Sequence, residues 1–302
     1  MPQLLAPRTV RRQNVYDGIY LMYWGLFLKV VIADNMALIV DPYFDTDRTY
    51  TGVESLLVMY AFAVEIFCDF AGYSEIARGL GKCMGIELTA NFRWPYFVTS
   101  PGEFWKNWHV TLSTWLRDYL YIPLGGNRYG QFLTLRNLIL TMLLGGLWHG
   151  AAWTFIAWGI YHGLLLIVFR VSERTPSTAP PPKPPASSTL ARIVKIVLYF
   201  HVTCIGWVLF RSHSLTQASD ILSSLVCQFH ASDVLACKDT AATVVKFSWL
   251  LLLIQILQFR RDDLMIVRTW PFVSRAILYF IMYYCFVSYG MQAVKPFIYF
   301  QF

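Results

Sequence analysis

Residues 137–169 read NLILTMLLGGLWHGAAWTFIAWGIYHGLLLIVF, a run of 33 residues without Asp, Glu, Lys or Arg. As one helix, at about 1.5 Å per residue, this run would be roughly 50 Å long. Because the hydrocarbon core of a bilayer is only about 30 Å thick, two membrane segments must share it. Glycine is the weakest helix former in the run, so the break should fall at Gly145-Gly146 or at His149-Gly150. We therefore predict a membrane hairpin with His149 at or near its turn.

The composition of the whole chain points in the same direction. Of the 302 residues, 56% are apolar, 17% aromatic and 14% charged, whereas soluble proteins contain about 25% charged residues. These values exclude a disordered chain, collagen, a coiled coil and a small disulfide-rich scaffold. With the hairpin, the apolar stretches 17–40, 53–76, 193–210, 241–259 and 276–294 predict an all-α polytopic membrane bundle of about seven segments.

The charge distribution indicates an orientation. The chain has 25 Lys and Arg against 18 Asp and Glu, a net charge of +7. The basic residues cluster in short segments between apolar runs, which the positive-inside rule explains, so we expect no nucleic-acid partner. The loops 78–136, 170–195 and 260–275 are basic and the loop 41–54 is acidic. This pattern predicts a cytoplasmic N-side, a hairpin that enters from the cytoplasm and an outward C-terminus.

Charged residues also lie within the first two predicted spans. Lys29 and Asp34 fall in the first, and Glu65, Asp69 and Glu75 in the second. A charge at membrane depth is costly, so these side chains should face protein or a water-filled cavity. Because few complementary charges lie in the other spans, we expect these faces to be partly uncovered in this chain. Asp69 could orient a histidine, line a tunnel or pair with a Lys or Arg of another span.

The six cysteines form no CxxC pair, so the sequence signals neither a zinc site nor a redox motif, and we predict no metal site. Cys227 and Cys237 fall in one loop. They could form a disulfide on an oxidising side of the membrane or remain two unrelated thiols.

Residues 172–189, SERTPSTAPPPKPPASST, are too rich in Pro, Ser and Thr to build a core. We interpret this segment as a cytoplasmic spacer rather than as a PxxP-type ligand. It divides the sequence into a core over 1–171, the linker 172–189 and C-terminal membrane segments over 190–302.

An amphipathic segment precedes the hairpin. Ser100-Pro101 is a helix-start signal, and Glu103 falls in the first turn. Helical spacing then gives an aromatic face and an opposite polar face that includes His109 and Arg117. The segment is too polar to span, so it should lie at the membrane interface or line a cavity. The aromatic face consists of Trp105, Trp108, Leu112, Trp115 and Tyr119.

Two of the six histidines, His149 and His162, lie within the uncharged run. An ionisable group inside a membrane is a functional candidate by default. The alternative is a structural histidine that is hydrogen-bonded to a neighbouring helix. Physical reasoning leaves both possibilities open for His149, whereas the position of His162 is more typical of packing.

Several motifs resemble the membrane-bound O-acyltransferase (MBOAT) family, in particular its branch of bacterial alginate O-acetyltransferases. The similar stretches are DFAGYSEIARGLG (69–81), FWKNWHVTLSTWLRDYLYIPLGGNR (104–128) and RNLILTMLLGGLWHGAAWTFIAWGIYHG (136–163), with GLFLKVVIADNMA (25–37) and FIYFQF (297–302). The resemblance implies a helical bundle around a central tunnel. It also implies transfer of an acetyl group from a cytoplasmic thioester, acetyl-CoA or an acyl carrier protein, to hydroxyls of an extracytoplasmic polysaccharide such as alginate.

The same resemblance implies site residues. His149 matches the near-invariant histidine of the family and His109 matches the second one, so we expect both to be catalytic. A neutral imidazole suits acyl transfer because it can deprotonate the attacking hydroxyl. The motifs also place five residues as tunnel-lining or supporting groups: Asp69, Trp108, Arg117, Asp118 and Trp148.

The resemblance further implies a multi-pass protein of the bacterial inner membrane, with no bound cofactor and with an extracytoplasmic SGNH-type acetyltransferase or other polysaccharide machinery as partner. Family members carry additional N-terminal spans, so we expect this chain to be a truncated form. Two alternatives stay open. One is transfer of D-alanine to a cell-wall polymer, and the other is a channel or transporter with Lys29, Asp69 and His149 along an ion path. The lack of an internal repeat argues against most transporter folds.

Overall fold

The computed structural model describes residues 2–5, 9–46, 48–172 and 189–290, and these residues form helices and no strand. The all-α prediction is confirmed. Most of the linker 172–189 and the whole of FIYFQF (297–302) lie outside the described residues. The helices are α1 (Pro2–Leu5), α2 (Arg12–Leu26), α3 (Asp34–Phe44), α4 (Gly52–Cys83), α5 (Pro101–Asn107), α6 (Val110–Leu116), α7 (Gln131–His149), α8 (Trp153–Ser172), α9 (Thr189–Arg211), α10 (Leu215–Cys227), α11 (Ala231–Ala236), α12 (Lys238–Arg261) and α13 (Phe272–Tyr289).

Three further helical segments of the described chain are π or 3₁₀ helices rather than α-helices. The π-helical segment Phe27–Ala33 joins α2 to α3, so that the helix is continuous over Arg12–Phe44. A second π-helical turn, Arg117–Tyr121, follows α6, and a 3₁₀ turn, Ile266–Thr269, precedes α13.

Within the described residues, 6 helices are long and apolar enough to cross a membrane: Arg12–Phe44, Gly52–Cys83, Trp153–Ser172, Thr189–Arg211, Lys238–Arg261 and Phe272–Tyr289. They correspond to six of the predicted segments. The seventh is α7, which carries Arg136 and Asn137 within its length and begins and ends on polar residues. These residues lower its average apolarity, although it is the first helix of the predicted hairpin.

The chain forms two compact units. The first takes its residues from 1–91 and 224–302, and the second covers 92–223. The division of the sequence into 1–171, 172–189 and 190–302 remains a prediction.

In the first unit, glycines allow α2 and α4 to pack backbone against backbone. A Cβ atom at Gly25 would lie 2.5 Å from the carbonyl oxygen of Gly72, and one at Gly18 would lie 2.6 Å from that of Gly79. Gly18 and Gly25 are seven residues apart on α2, and Gly72 and Gly79 are seven residues apart on α4. Seven residues are about two helical turns, so the glycines of each helix lie on one face. Small residues at such a crossing let two membrane helices approach closely.

One lysine of these helices pairs with two of their acidic residues. The Nζ atom of Lys29, in the π-helical segment, lies 2.8 Å from Oδ1 of Asp34 and 2.6 Å from Oδ1 of Asp69. Both carboxylates are 2% exposed. The expectation that these faces are partly uncovered is therefore wrong for Lys29, Asp34 and Asp69, because Lys29 forms ion pairs with buried carboxylates of two helices. Of the possibilities considered for Asp69, the structure has the ion pair with a lysine of another span.

In the second unit, α7 and α8 form the predicted hairpin. The chain breaks after His149, and α8 begins at Trp153, so the break lies at His149-Gly150. Gly146 lies inside α7, where a Cβ atom would collide with the carbonyl oxygen of Phe155 on α8. Its role is close helix packing rather than a turn.

All six cysteines are free thiols in the structure, and Cys227 is exposed. Of the two alternatives for Cys227 and Cys237, the structure has the unpaired thiols.

Candidate active site

The segment before the hairpin begins as a capped helix. Ser100 is the N-cap of α5 and Pro101 is its first residue. The backbone N–H of Glu103 donates to Oγ of Ser100 at 3.3 Å, and the backbone N–H of Thr99 donates to Oε2 of Glu103 at 2.8 Å. The first bond satisfies one of the amide groups that a helix start leaves open, and the second ties the residue before the cap to the first turn. The predicted helix start is confirmed.

The predicted continuous amphipathic helix is wrong. The segment divides into α5, which ends at Asn107, and α6, which begins at Val110. Between them, His109 has φ 43° and ψ 56°, in the left-handed region. This conformation costs a residue other than glycine about 1–2 kcal/mol. Such strain persists only where surrounding contacts impose it, and it concentrates at functional sites.

Contacts on both sides of the break hold His109 in this conformation. The backbone N–H of Ser113 donates to the carbonyl oxygen of His109 at 2.9 Å, and its Oγ donates to that of Trp108 at 3.0 Å. The Trp108 side chain is 2% exposed and packs 4.7 Å from the Trp207 ring and 5.6 Å from the Phe104 ring. His109 is therefore buried at a break in the helix and does not lie on a polar helical face.

His149 is the last residue of α7, and an aromatic enclosure surrounds its ring. The Trp148, Trp158 and Phe210 rings lie 5.0, 5.1 and 5.1 Å from the imidazole, measured between ring centroids. Phe155 completes the enclosure at 6.3 Å. These rings come from α7, α8 and α9, so the enclosure depends on the packing of three helices.

The two predicted catalytic histidines both lie near the indole ring of Trp148. The Trp148 ring centroid lies 6.4 Å from that of His109 and 5.0 Å from that of His149. Trp148 is 53% exposed, whereas His109 is 9% exposed. The site is therefore built from the helix break at His109 and the hairpin turn at His149, with the open Trp148 ring between them.

Burial sets the protonation state of His109, which lies in the segment between α4 and α7. Desolvation disfavours the charged imidazolium and lowers the pKa of His109 to about 4. His109 is therefore neutral at pH 7, with one ring nitrogen able to donate a hydrogen bond and the other able to accept one.

The other predicted site residues lie in different surroundings. Nε of Arg117 pairs with Oδ1 of Asp118 at 2.7 Å, and these side chains are 59% and 41% exposed. Arg117 also lines a cavity of about 170 Å³ in the second unit. Asp69 belongs to the first unit, where it pairs with Lys29. The remaining lining of the cavity is Trp105, Ser113, Leu116, Tyr121, Leu138, Thr141, Met142 and Leu166.

Sequence reasoning missed two residues of the enclosure, Trp158 and Phe210. Trp158 shares a face of α8 with Phe155 and His162, which lie three residues before it and four after it, so helical spacing could have found it. Phe210 lies on α9, about sixty residues beyond His149 in the chain, and no local pattern marks it.

The packing prediction for His162 is confirmed. This side chain is fully buried. Its ring stacks on Phe104 at 5.8 Å and meets the Trp105 and Trp158 rings edge to face at 5.2 and 4.9 Å.

The arrangement can perform proton transfer. An imidazole can accept the proton of a hydroxyl group that attacks a carbonyl carbon. The indole N–H of Trp148 and nearby backbone N–H groups are the candidate donors for developing negative charge. Among the residues that the structure describes, no three His, Cys, Asp or Glu side chains come together as metal ligands.

Comparison with known proteins identifies relatives. The model of the MBOAT, membrane-bound O-acyltransferase family, matches residues 2–211. The chain is 44% identical over 213 residues to the probable alginate O-acetylase AlgI of Azotobacter vinelandii, an alignment that covers 70% of this chain and 40% of the relative.

Two other relatives are named for different activities. A peptidoglycan O-acetyltransferase of Helicobacter pylori is 38% identical over 214 residues, covering 71% of this chain and 39% of the relative. A teichoic acid D-alanyltransferase of Bacillus subtilis is 31% identical over 210 residues, covering 65% of this chain and 51% of the relative. The chain thus spans well under two thirds of the length of these relatives.

Proposed function

The chain belongs to the membrane-bound O-acyltransferase family, and on that premise we propose that it is an O-acyltransferase that acetylates hydroxyls of an extracytoplasmic polysaccharide. The observation that carries the proposal is the site at the hairpin turn, where Trp148 lies between the buried His109 and the enclosed His149. Relatives named as alginate and peptidoglycan O-acetyltransferases support an acetyl group and a polysaccharide acceptor.

In the proposed reaction, His149 is the general base. Its neutral imidazole takes the proton of the acceptor hydroxyl while the oxygen attacks the thioester carbonyl carbon. The new C–O bond forms, the C–S bond breaks, and the proton passes from the imidazolium to the departing thiolate. Proton transfer of this kind is typically worth about 10²–10⁴ in rate.

His109 is proposed to position the acyl donor. Its pKa of about 4 keeps it neutral at the pH of the cytoplasm, so it can donate a hydrogen bond to the donor without binding a proton. With the left-handed backbone at His109, the imidazole of this residue lies near the Trp148 ring, and Trp148 also lies near the His149 ring. The donor is proposed to be a cytoplasmic thioester, either acetyl-CoA or an acyl carrier protein.

The proposed location is the bacterial inner membrane, with the basic loops on the cytoplasmic side. An acceptor outside this membrane implies a partner that handles the polysaccharide. We propose an extracytoplasmic SGNH-type acetyltransferase, or another component of the polysaccharide machinery, in this role.

Transfer of D-alanine is the second candidate, and the 31% identity to a teichoic acid D-alanyltransferase supports it. Membranes that contain the full-length protein should be supplied with labelled acetyl thioester or with labelled D-alanyl carrier protein. Label that enters the polymer fraction from the acetyl donor alone supports O-acetylation. Label that enters from the D-alanyl donor alone contradicts it.

A further inference from the structure

A second cavity, of about 180 Å³, lies in the first unit between α12, α13 and the helix Arg12–Phe44. It belongs to a different unit from the two histidines. Lys246 is the one charged residue of its lining. The other lining residues are Phe27, Val31, Phe247, Trp249, Leu250, Cys285 and Tyr289.

Aromatic rings hold the ammonium group of Lys246. Its Nζ atom lies 3.7 Å from the centroid of the Tyr289 ring and 5.0 Å from that of the Phe247 ring. Such contacts attract a cation but leave its charge uncompensated. Within the described residues, Lys246 makes these ring contacts and no ion pair. Residues 291–302, MQAVKPFIYFQF, follow α13 and contain no acidic side chain.

The position of Lys246 along α12 places it near one edge of the hydrocarbon layer. It lies fourteen residues before Arg260, the first of the two arginines that end the helix. At about 1.5 Å per residue this separation is roughly 21 Å of a hydrocarbon core about 30 Å thick. The Cα atom of Lys246 therefore lies somewhat below the membrane surface, within the distance that a lysine side chain can span toward the headgroups.

The surface around Lys246 is apolar and open. Val245 is 64% exposed and Trp249 is 47% exposed. At membrane depth, an exposed apolar surface of this kind is suited to contact with lipid acyl chains. The cavity thus combines one cation, aromatic rings and an apolar wall on a lipid-facing surface.

We propose that this cavity binds an anionic phospholipid, with the lipid phosphate on Lys246 and an acyl chain along Phe27, Val31 and Leu250. The phosphate supplies the negative charge that the described residues do not place beside Lys246. The acyl chain fills the apolar part of the cavity, which a soluble anion would leave empty. Basic pockets between membrane helices recognise lipid headgroups by the same combination of charge and apolar contact.

Native mass spectrometry of the full chain, released from mixed micelles of phosphatidylglycerol and phosphatidylcholine, tests this proposal. The wild-type chain should retain phosphatidylglycerol. Lys246→Gln should lower the retained fraction about fivefold, because the cavity then offers no cation to the lipid phosphate. Lys246→Arg should restore retention, because the guanidinium keeps the positive charge.

Lys195→Gln is the matched control, because Lys195 is an exposed lysine near the start of another membrane helix, α9, and lines neither cavity. Its retention of phosphatidylglycerol should equal that of wild type. Equal losses in the two Gln variants, or no loss in Lys246→Gln, would overturn the proposal. Displacement of the lipid by inorganic phosphate would also overturn it, since the cavity would then be a site for a free anion.

Discussion

Three aromatic rings meet the imidazole of His149 at nearly right angles, at 79° for Trp148, 81° for Phe210 and 86° for Trp158. Edge-to-face contacts of this kind favour one relative orientation of the rings. They fix the plane of the imidazole at the end of α7, where no further helical turn supports it. At the scale of single residues, the enclosure therefore orients the proposed base before a substrate binds.

The burial of His109 predicts a pH-dependent stability. Its folded pKa of about 4 lies below the ordinary histidine value of 6.5, so the unfolded chain takes up a proton before the folded chain does. The free energy of unfolding should fall as the pH falls from about 6.5 to about 4, by up to about 3 kcal/mol from this residue. Above pH 6.5 this contribution should be constant.

Thermal unfolding midpoints of the detergent-solubilised chain, measured from pH 7 to pH 5, check this prediction. His109→Asn should lose less stability over this range than wild type, because Asn does not titrate and tolerates the left-handed conformation. The exposed His230 offers a control, and His230→Asn should keep the wild-type pH dependence. An unchanged slope in His109→Asn would show that the buried ring is not the titrating group.

Features that depend on a few neighbouring residues could be predicted from the sequence. A Ser-Pro pair followed by Glu103 predicts the start of α5, and the chain starts a helix there. Glycine in a run too long for one span predicts the hairpin break, and the chain breaks at His149-Gly150. In both places, the residues that form the feature are neighbours in the sequence.

The break between α5 and α6 could not be predicted in this way. Neither Trp108 nor His109 is a helix breaker, and the aromatic spacing continues across the break. The cause is tertiary, since Trp108 packs against Trp207 of α9. Contacts between residues distant in the sequence also bring Phe210 to His149 and Asp69 to Lys29. Single-sequence periodicity carries no information about such contacts.

At the scale of helix pairs, the close crossing of α2 and α4 makes a stability prediction. A Cβ atom at Gly72 would lie 2.7 Å from the carbonyl oxygen of Gly25 and 3.1 Å from the backbone nitrogen of Lys29. Gly72→Ala should therefore push the helices apart and disturb the ion pairs of Lys29. We expect a loss of about 1–3 kcal/mol, the usual cost of an overpacked core, seen as a lower thermal unfolding midpoint.

Gly102→Ala is the matched control for this substitution. Gly102 is also helical, but a Cβ atom there would meet nothing within 4 Å. Its unfolding midpoint should stay at or slightly above that of wild type, because alanine is the better helix former. Equal midpoints for the two alanine variants would mean that the glycine crossing does not limit how closely α2 and α4 pack.

At the scale of the whole molecule, the division of roles follows the two units. The first unit holds the Lys29 ion cluster and the Lys246 cavity, and the second holds both histidines and the enclosure. The family model covers residues 2–211 and so includes every residue of the proposed site. The relatives are longer than this chain, so activity is best measured in the full-length protein.

The central claim is that His149 is the general base of an acyl transfer, and its direct test is the rate of polymer O-acetylation by His149→Ala. The rate should be measured in membranes and normalised to the amount of protein, with His230→Ala as a control that keeps wild-type activity. Loss of a general base predicts a rate about 10²–10⁴ lower at unchanged protein abundance. A variant that keeps more than about a tenth of the wild-type rate would contradict the claim, because that loss is too small for a general base.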